Sequence, residues 1–523
     1  MAPAPDGGPS DQKGDPNERH FNTDLLRTNL KHRTVSSGFV TLTAQGAKFA
    51  LTVASTVILA RLLTPRDFGL LAMVMAIMGL LRIFKDAGLS AATVQREGIT
   101  HAQVSNLFWI NVAVAGLMTV IMCALAPVIA WFNDEPKLVG ITLWLSLTFL
   151  VSGSTVQHQA LLRRQMRFKA IAVIEVGSIM AGLVVAVLMA KSGCGYWSLV
   201  GMNLSMEGTG FVLTWLLARW RPQLPRRDSG TRTLLRFGVH MMAGSACYIF
   251  SRSVDSVLVG WRYGADVVGL YSRALALLMR PLDQLLSPVG AVVVPALSRL
   301  QGEPERYRRA FLQLYEGTAI ISFVLGGFFL ALSRPITLFL LGPKWEGVAP
   351  IFAGFALVAI YAPLGTATSW LMISQGHGED YVQSNVISMI ITITAYLVGL
   401  TWGPVGVAFT FSIASLLIAL PIVYYLAGRS GPVTTKDLWG GFIRHLHLCA
   451  VVAGTTCLAR VWAAKYSPLL QLLIGAPVGL AAGVATVMLV KPQREIARHF
   501  FKLVRGMLRD RRGPAGKAES TSN

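Results

Sequence analysis

Runs of about twenty largely apolar residues alternate with short polar connections along most of the chain, and a run of that length is what one helix needs to cross a lipid bilayer. The pattern predicts spans at roughly 36–60, 68–92, 107–131, 138–161, 170–190, 196–219, 236–260, 268–297, 312–333, 348–373, 383–402, 404–427, 443–463 and 468–490, about fourteen helices by the length rule. The connection at Gly403-Pro404 is almost absent, and 336–341 extends the apolar pattern of the ninth span. Strands of a transmembrane barrel alternate apolar and polar residues over about ten positions; the unbroken runs at 107–131 and 469–490 are helical instead. In lipid the backbone must satisfy its own hydrogen bonds, so helices are expected throughout.

The pattern also repeats. Thr56-Val57-Ile58-Leu59-Ala60 closes one apolar run and Ser256-Val257-Leu258-Val259-Gly260 closes another; each leads through a polar turn to Gly69-Leu70 or Gly269-Leu270, which opens the next run. A fainter echo pairs Gly195-Tyr196-Trp197 with Gly406-Val407-Ala408. The expected organisation is therefore two six-helix lobes, 35–220 and 234–428, joined by a linker at 221–233 and followed by a further helix pair within 441–490. Membrane transporters commonly hold their substrate between such repeats.

Composition agrees with that class. Apolar residues make up 53% of the 523 and charged residues 14%, which fits a polytopic membrane protein and excludes a water-soluble one. The net charge of +21 reports topology: Arg163, Arg164, Arg167 and Lys169, then Arg219, Arg221, Arg226, Arg227, Arg232 and Arg236, then Arg299, Arg306, Arg308 and Arg309 occupy alternate loops. Loops rich in Lys and Arg stay cytoplasmic, so both termini are expected in the cytoplasm. Cations spread over several loops do not form the continuous face that nucleic acid requires. Residues 1–34, with Pro3, Pro5, Pro9 and Pro16, read as a disordered tail, and 491–523 as a basic amphipathic tail suited to anionic headgroups.

Charges inside spans are expensive and usually face a cavity or one another. They cluster on the first two helices of each repeat: Lys48; Arg82, Lys85 and Asp86; Arg252 and Asp255; Arg273, Arg280 and Asp283. That is six cations against three anions, so a central cavity lined by these helices would be positive and suited to a diphosphate, which guanidinium groups grip with a planar fork. The spacings Arg82/Asp86, Arg252/Asp255 and Arg280/Asp283 equally allow ion pairs within one helix. Glu207, deep in the sixth span, reads either as an acid for ion coupling or as an interhelical hydrogen-bond partner. No Walker A motif is present, Cys123, Cys194, Cys247, Cys449 and Cys457 lack paired spacing, and neither a metal nor a cofactor is expected.

Ser251-Arg252-Ser253-Val254-Asp255-Ser256-Val257-Leu258-Val259-Gly260, with Val268-Gly269-Leu270-Tyr271-Ser272-Arg273-Ala274 and Val294-Pro295-Ala296-Leu297-Ser298, resembles the polysaccharide transporter family, above all its Wzx-type flippases. The stretch from Leu59-Ala60-Arg61 to Phe68-Gly69-Leu70 is similar to the same family. The resemblance covers about 30–490 and implies the fold of the multidrug, oligosaccharidyl-lipid and polysaccharide exporters, two six-helix lobes around a cavity. It further implies a bacterial inner-membrane protein that moves undecaprenyl-diphosphate-linked oligosaccharide between leaflets by alternating access, with a polysaccharide polymerase and export machinery as partners. A multidrug exporter would need an acidic cavity for cationic drugs, and a membrane polymerase or ligase would need a site built outside the bilayer, which the short loops opposite the basic ones do not offer.

Overall fold

The computed structural model describes residues 30–86, 89–95, 98–226, 231–496 and 498; side chains at 30–42, 83–86, 91, 92, 95, 231–249, 251, 252, 285, 288 and 291 lie outside the description. All regular structure within it is helical. In chain order the helices are α1 (Leu30–Leu62), α2 (Pro65–Asp86), α3 (Leu89–Gln95), α4 (His101–Phe132), α5 (Lys137–Gly153), α6 (Val156–Arg164), α7 (Phe168–Lys191) and α8 (Trp197–Ala218). They continue as α9 (Thr231–Ser298), α10 (Pro304–Leu341), α11 (Val348–Ala356), α12 (Val358–Ser374), α13 (Gly378–Gly399), α14 (Gly403–Ala414), α15 (Leu420–Gly428), α16 (Thr435–Trp462) and α17 (Pro468–Leu489). Among the described residues eight stretches, nine with the α11–α12 pair, are long and apolar enough to span a membrane, and neither α2 nor α9 is one of them. Both helices carry charges that the sequence assigns to a cavity wall, where lipid need not be faced, beside others such as Arg66 and Arg262 near their ends at the Gly264 break.

Several expected spans are broken. The fourth divides at Gly153 into α5 and α6. The tenth bends by 43° between α11 and α12, and the twelfth carries a π-turn at Ser415–Ala419 between α14 and α15. The seventh and eighth run together as α9, broken only at Gly264, whose φ of 78° is open to glycine and strained for other residues. The ninth lengthens to Leu341 through a kink at Leu332. Pro335 has no N–H for the carbonyl four residues earlier, and Arg460 of α16 donates to that Ala331 oxygen at 2.8 Å. An orphaned carbonyl costs about 1–3 kcal/mol when buried. Arg460→Leu is therefore expected to lower the thermal midpoint in detergent and Arg460→Lys to lower it less; equal melting of all three proteins would remove the capping role.

Pairing of α4 with α5 and of α7 with α8 builds the first half, while α10 to α15 gather around the 265–298 arm of α9 in the second. The pair α16 and α17 lies against α10, pinned by Arg308 to Asp437 at 2.6 Å and by an ion pair between Arg444 and Glu316. The principal contact between halves is α2 against α9. Near Gly264 it is backbone on backbone: a Cβ on Gly69 would sit 1.7 Å from the Ala265 carbonyl oxygen, and one on Gly269 would sit 1.9 Å from that of Pro65. Pro65 and Ala265, like Gly69 and Gly269, are two hundred positions apart, so the repeat seen in sequence is a reciprocal contact in space. Trp345 closes the same end by donating to the Ala60 carbonyl at 2.8 Å and meeting Phe68 edge to face at 5.2 Å.

Candidate functional site

On the 265–298 arm of α9, Arg273 and Arg280 are two turns apart and so share one face. That face meets the first half. Arg280 donates to Thr56 of α1 at 3.0 Å, and the Arg273 guanidinium lies 4.6 Å from the centre of the Phe68 ring on α2. Arg273 Nε is buried without a hydrogen-bond partner. Neither arginine has a carboxylate within ion-pair distance among the described residues. A guanidinium held between two helical halves with an orphaned donor is costly unless an anion visits it.

The other expected cations divide. Lys48 reaches Glu175 of α7 at 3.4 Å, and Arg82 reaches Glu207 of α8 at 3.9 Å, with every one of these side chains between a third and a half exposed. Partly hydrated pairs of this kind are weak and leave their cations open to competition from a stronger anion. Lys85, Asp86 and Arg252 carry side chains outside the described residues. At 1.5 Å per residue, Arg273 lies about 13 Å from the Gly264 break, and Lys48, Arg82 and Arg280 about 20–25 Å from the same end. The cations thus form a file that ends beneath the glycine contact.

The expected acids take different parts. Glu207 is an interhelical partner of Arg82. Asp255, 1% exposed, accepts a hydrogen bond from Tyr271 at 3.1 Å within α9. Asp283 faces a cavity within the second half, while Arg280 turns to α1, and the two form no ion pair among the described residues. Spacing within a helix permits a pair without requiring one. Thr56, Phe68 and Glu175 belong to the arrangement and carry no local signal in sequence, because each meets its arginine or lysine only after folding.

Residues 58–350 match the family described as "Polysaccharide biosynthesis protein". The amylovoran biosynthesis protein AmsL of Erwinia amylovora is 29% identical over 64% of this chain and 87% of its own length. The succinoglycan biosynthesis transport protein ExoT of Rhizobium meliloti (strain 1021) is 27% identical over 94% of this chain and 99% of its own. Among solved structures, the lipid II flippase MurJ in an inward closed conformation superposes with a TM-score of 0.69 at 13% identity, covering 86% of this chain and 98% of that one, which establishes a shared fold. With more than half its length inside the family match and its helices in that fold, the chain belongs to the polysaccharide biosynthesis protein family.

Proposed function

We propose that this protein is a flippase that carries undecaprenyl-diphosphate-linked oligosaccharide from the cytoplasmic to the periplasmic leaflet of a bacterial inner membrane, supplying lipopolysaccharide or exopolysaccharide assembly. One observation carries the reading: Arg273 and Arg280 point from α9 toward the first half with no carboxylate within ion-pair distance among the described residues. A diphosphate supplies the missing charge, and guanidinium groups bind it through paired hydrogen bonds. The relatives named for amylovoran and succinoglycan production support a glycan cargo. The excess of cations weighs against extrusion of cationic drugs.

Alternating access follows from the two halves. Residues 35–220 and 234–428 act as lobes with 221–233 as their linker, 441–490 adds a peripheral helix pair, and both termini are on the cytoplasmic side; the expected tails 1–34 and 491–523 fall largely outside the described residues. The Lys and Arg loops support a periplasmic position for the Gly264 end, and the contacts at Gly69, Gly269 and Trp345 close that end. Cargo then enters from the cytoplasmic side, the prenyl chain remains in lipid, and rocking of one lobe transfers the headgroup. Lys48, Arg82, Lys85 and Arg252 receive the diphosphate before Arg280 and Arg273; Asp86, Glu207, Asp255 and Asp283 balance charge or couple an ion. The decisive measurement is reconstitution in vesicles with a lipid-linked oligosaccharide and an external enzyme that traps flipped substrate. Protein-dependent trapping is expected; vesicles that instead exchange ethidium for protons, with no trapping, would assign a drug exporter.

A further inference from the structure

A cavity of about 480 Å³ lies inside the second half, between the 265–298 arm of α9, α12, α13 and the α14–α15 segment. Its size falls in the range of roughly 300–1,000 Å³ typical of small-molecule sites. Its wall on α9 carries Met279 and Asp283, roughly a sixth to a third of a turn from the direction of Arg280. A molecule whose anionic group rests on the arginines can therefore turn its next part into the cavity.

The lining mixes hydroxyl, amide and indole groups with apolar side chains, and its charged member is Asp283 among the described residues. Thr366 donates to the Ala362 carbonyl at 3.0 Å, Ser369 to Gly365 at 3.1 Å, Ser384 to Tyr381 at 2.8 Å, and the Asn385 amide to Tyr381 at 2.8 Å. The three hydroxyl protons and one of the two Asn385 amide protons are used within their own helices, which leaves hydroxyl and amide oxygens as acceptors and one Asn385 N–H as a donor. Tyr361 Oη is buried with no hydrogen-bond partner. Asp283 adds a carboxylate, and no Lys or Arg lines the cavity among the described residues. The rings of Tyr361, Trp370, Tyr381 and Tyr396 supply flat apolar walls, and the π-turn Ser415–Ala419, a kind of irregularity frequent at functional sites, forms part of the boundary.

An anion would meet the Asp283 carboxylate and no Lys or Arg among the described residues, and a prenyl chain would leave the Tyr361 hydroxyl buried without a partner. A bare cation would need ligands converging at about 2.0–2.6 Å, which one carboxylate in so wide a space does not give. A pyranose matches such a wall: its edge hydroxyls both donate and accept, and its C–H faces can lie on the rings. We infer that this cavity is the sugar subsite, binding pyranose rings of the cargo while Arg273 and Arg280 hold the diphosphate. The inference rests on the flippase reading and adds the selectivity that the arginines, which see only phosphate, do not provide.

Equilibrium binding to the full-length protein in detergent tests it with two probes, undecaprenyl diphosphate and undecaprenyl-diphosphate-linked glucose. The wild type is expected to bind the glucose-bearing probe at least about tenfold more tightly. Tyr361→Phe should reduce that preference, and Ser369→Val with Asn385→Leu should erase it, while binding of undecaprenyl diphosphate and the melting midpoint stay unchanged. Arg273→Ala should weaken both probes alike. Equal wild-type binding of the two probes, or cavity variants that weaken both equally, would overturn the sugar subsite while leaving the flippase reading intact. Failure of either probe to bind the wild type would overturn both.

Discussion

Gly69→Ala and Gly269→Ala are each expected to cut the initial rate of transport by about tenfold or more, because the closed end cannot hold a methyl group at either position. The added carbon would sit 1.7 Å or 1.9 Å from a backbone carbonyl oxygen of the opposite lobe, well inside contact distance, and neither partner is a side chain that can swing away. The helices must separate. Overpacking commonly costs about 1–3 kcal/mol, and since the strain exists only when this end is closed, the same energy shifts the balance of states toward the open form by roughly ten- to a hundredfold. Val268, fully buried beside the contact, reports the shift: Val268→Cys, in a background with the exposed Cys194 and Cys457 replaced by serine, should react faster with a membrane-impermeant thiol reagent added from the periplasmic side when either alanine is present. Gly116→Ala, where a Cβ meets nothing within 4 Å, should leave both rate and labelling unchanged. Normal transport and unchanged labelling in both interface variants would remove the contact from the transport cycle.

That contact also shows why the sequence was readable where it was. Gly69 and Gly269 sit at equivalent points of a repeat because each touches the backbone beside the other, so one steric requirement is written twice. The charges on α2 and α9 were legible for a comparable reason, since lipid-facing helices do not tolerate them. Partners were not legible. Glu175 meets Lys48 across 127 positions, and no local spacing announces it; Arg280 and Asp283 have the spacing of a pair, yet Arg280 bonds Thr56 on another helix. The cavity in the second half escaped because its signal is faint: Tyr381, Asn385, Ser388, Thr392 and Tyr396 follow one stripe of α13, but hydroxyl groups that bond their own helix cost little in an apolar span. Breaks such as those at Gly153 and Ser415–Ala419 leave the apolar count intact, so a length rule cannot see them.

Replacing Arg273 separates function from stability more sharply than any other change. Its guanidinium stacks on Phe68 at 4.6 Å, its Nε has no partner, and no carboxylate neutralises it among the described residues. Such a group weakens the fold unless something else uses it, and removing a buried, uncompensated charge is commonly neutral or stabilising. Arg273→Met, similar in length and apolar, is therefore expected to keep or raise the melting midpoint while the rate of substrate trapping falls. Each hydrogen bond to a charged group contributes about 1.5–3 kcal/mol, so the single change should lower the rate by about ten- to a hundredfold. Adding Arg280→Ala should lower it further, since the two guanidinium groups are two turns apart on one face. Arg273→Lys retains the charge without the planar fork and should fall between wild type and Arg273→Met. Lys85→Ala combined with Arg273→Ala should slow trapping with membrane insertion preserved. A structural role predicts the reverse order, loss of stability first and loss of transport only in proportion to it. Wild-type rates in Arg273→Met with Arg280→Ala would place the diphosphate elsewhere.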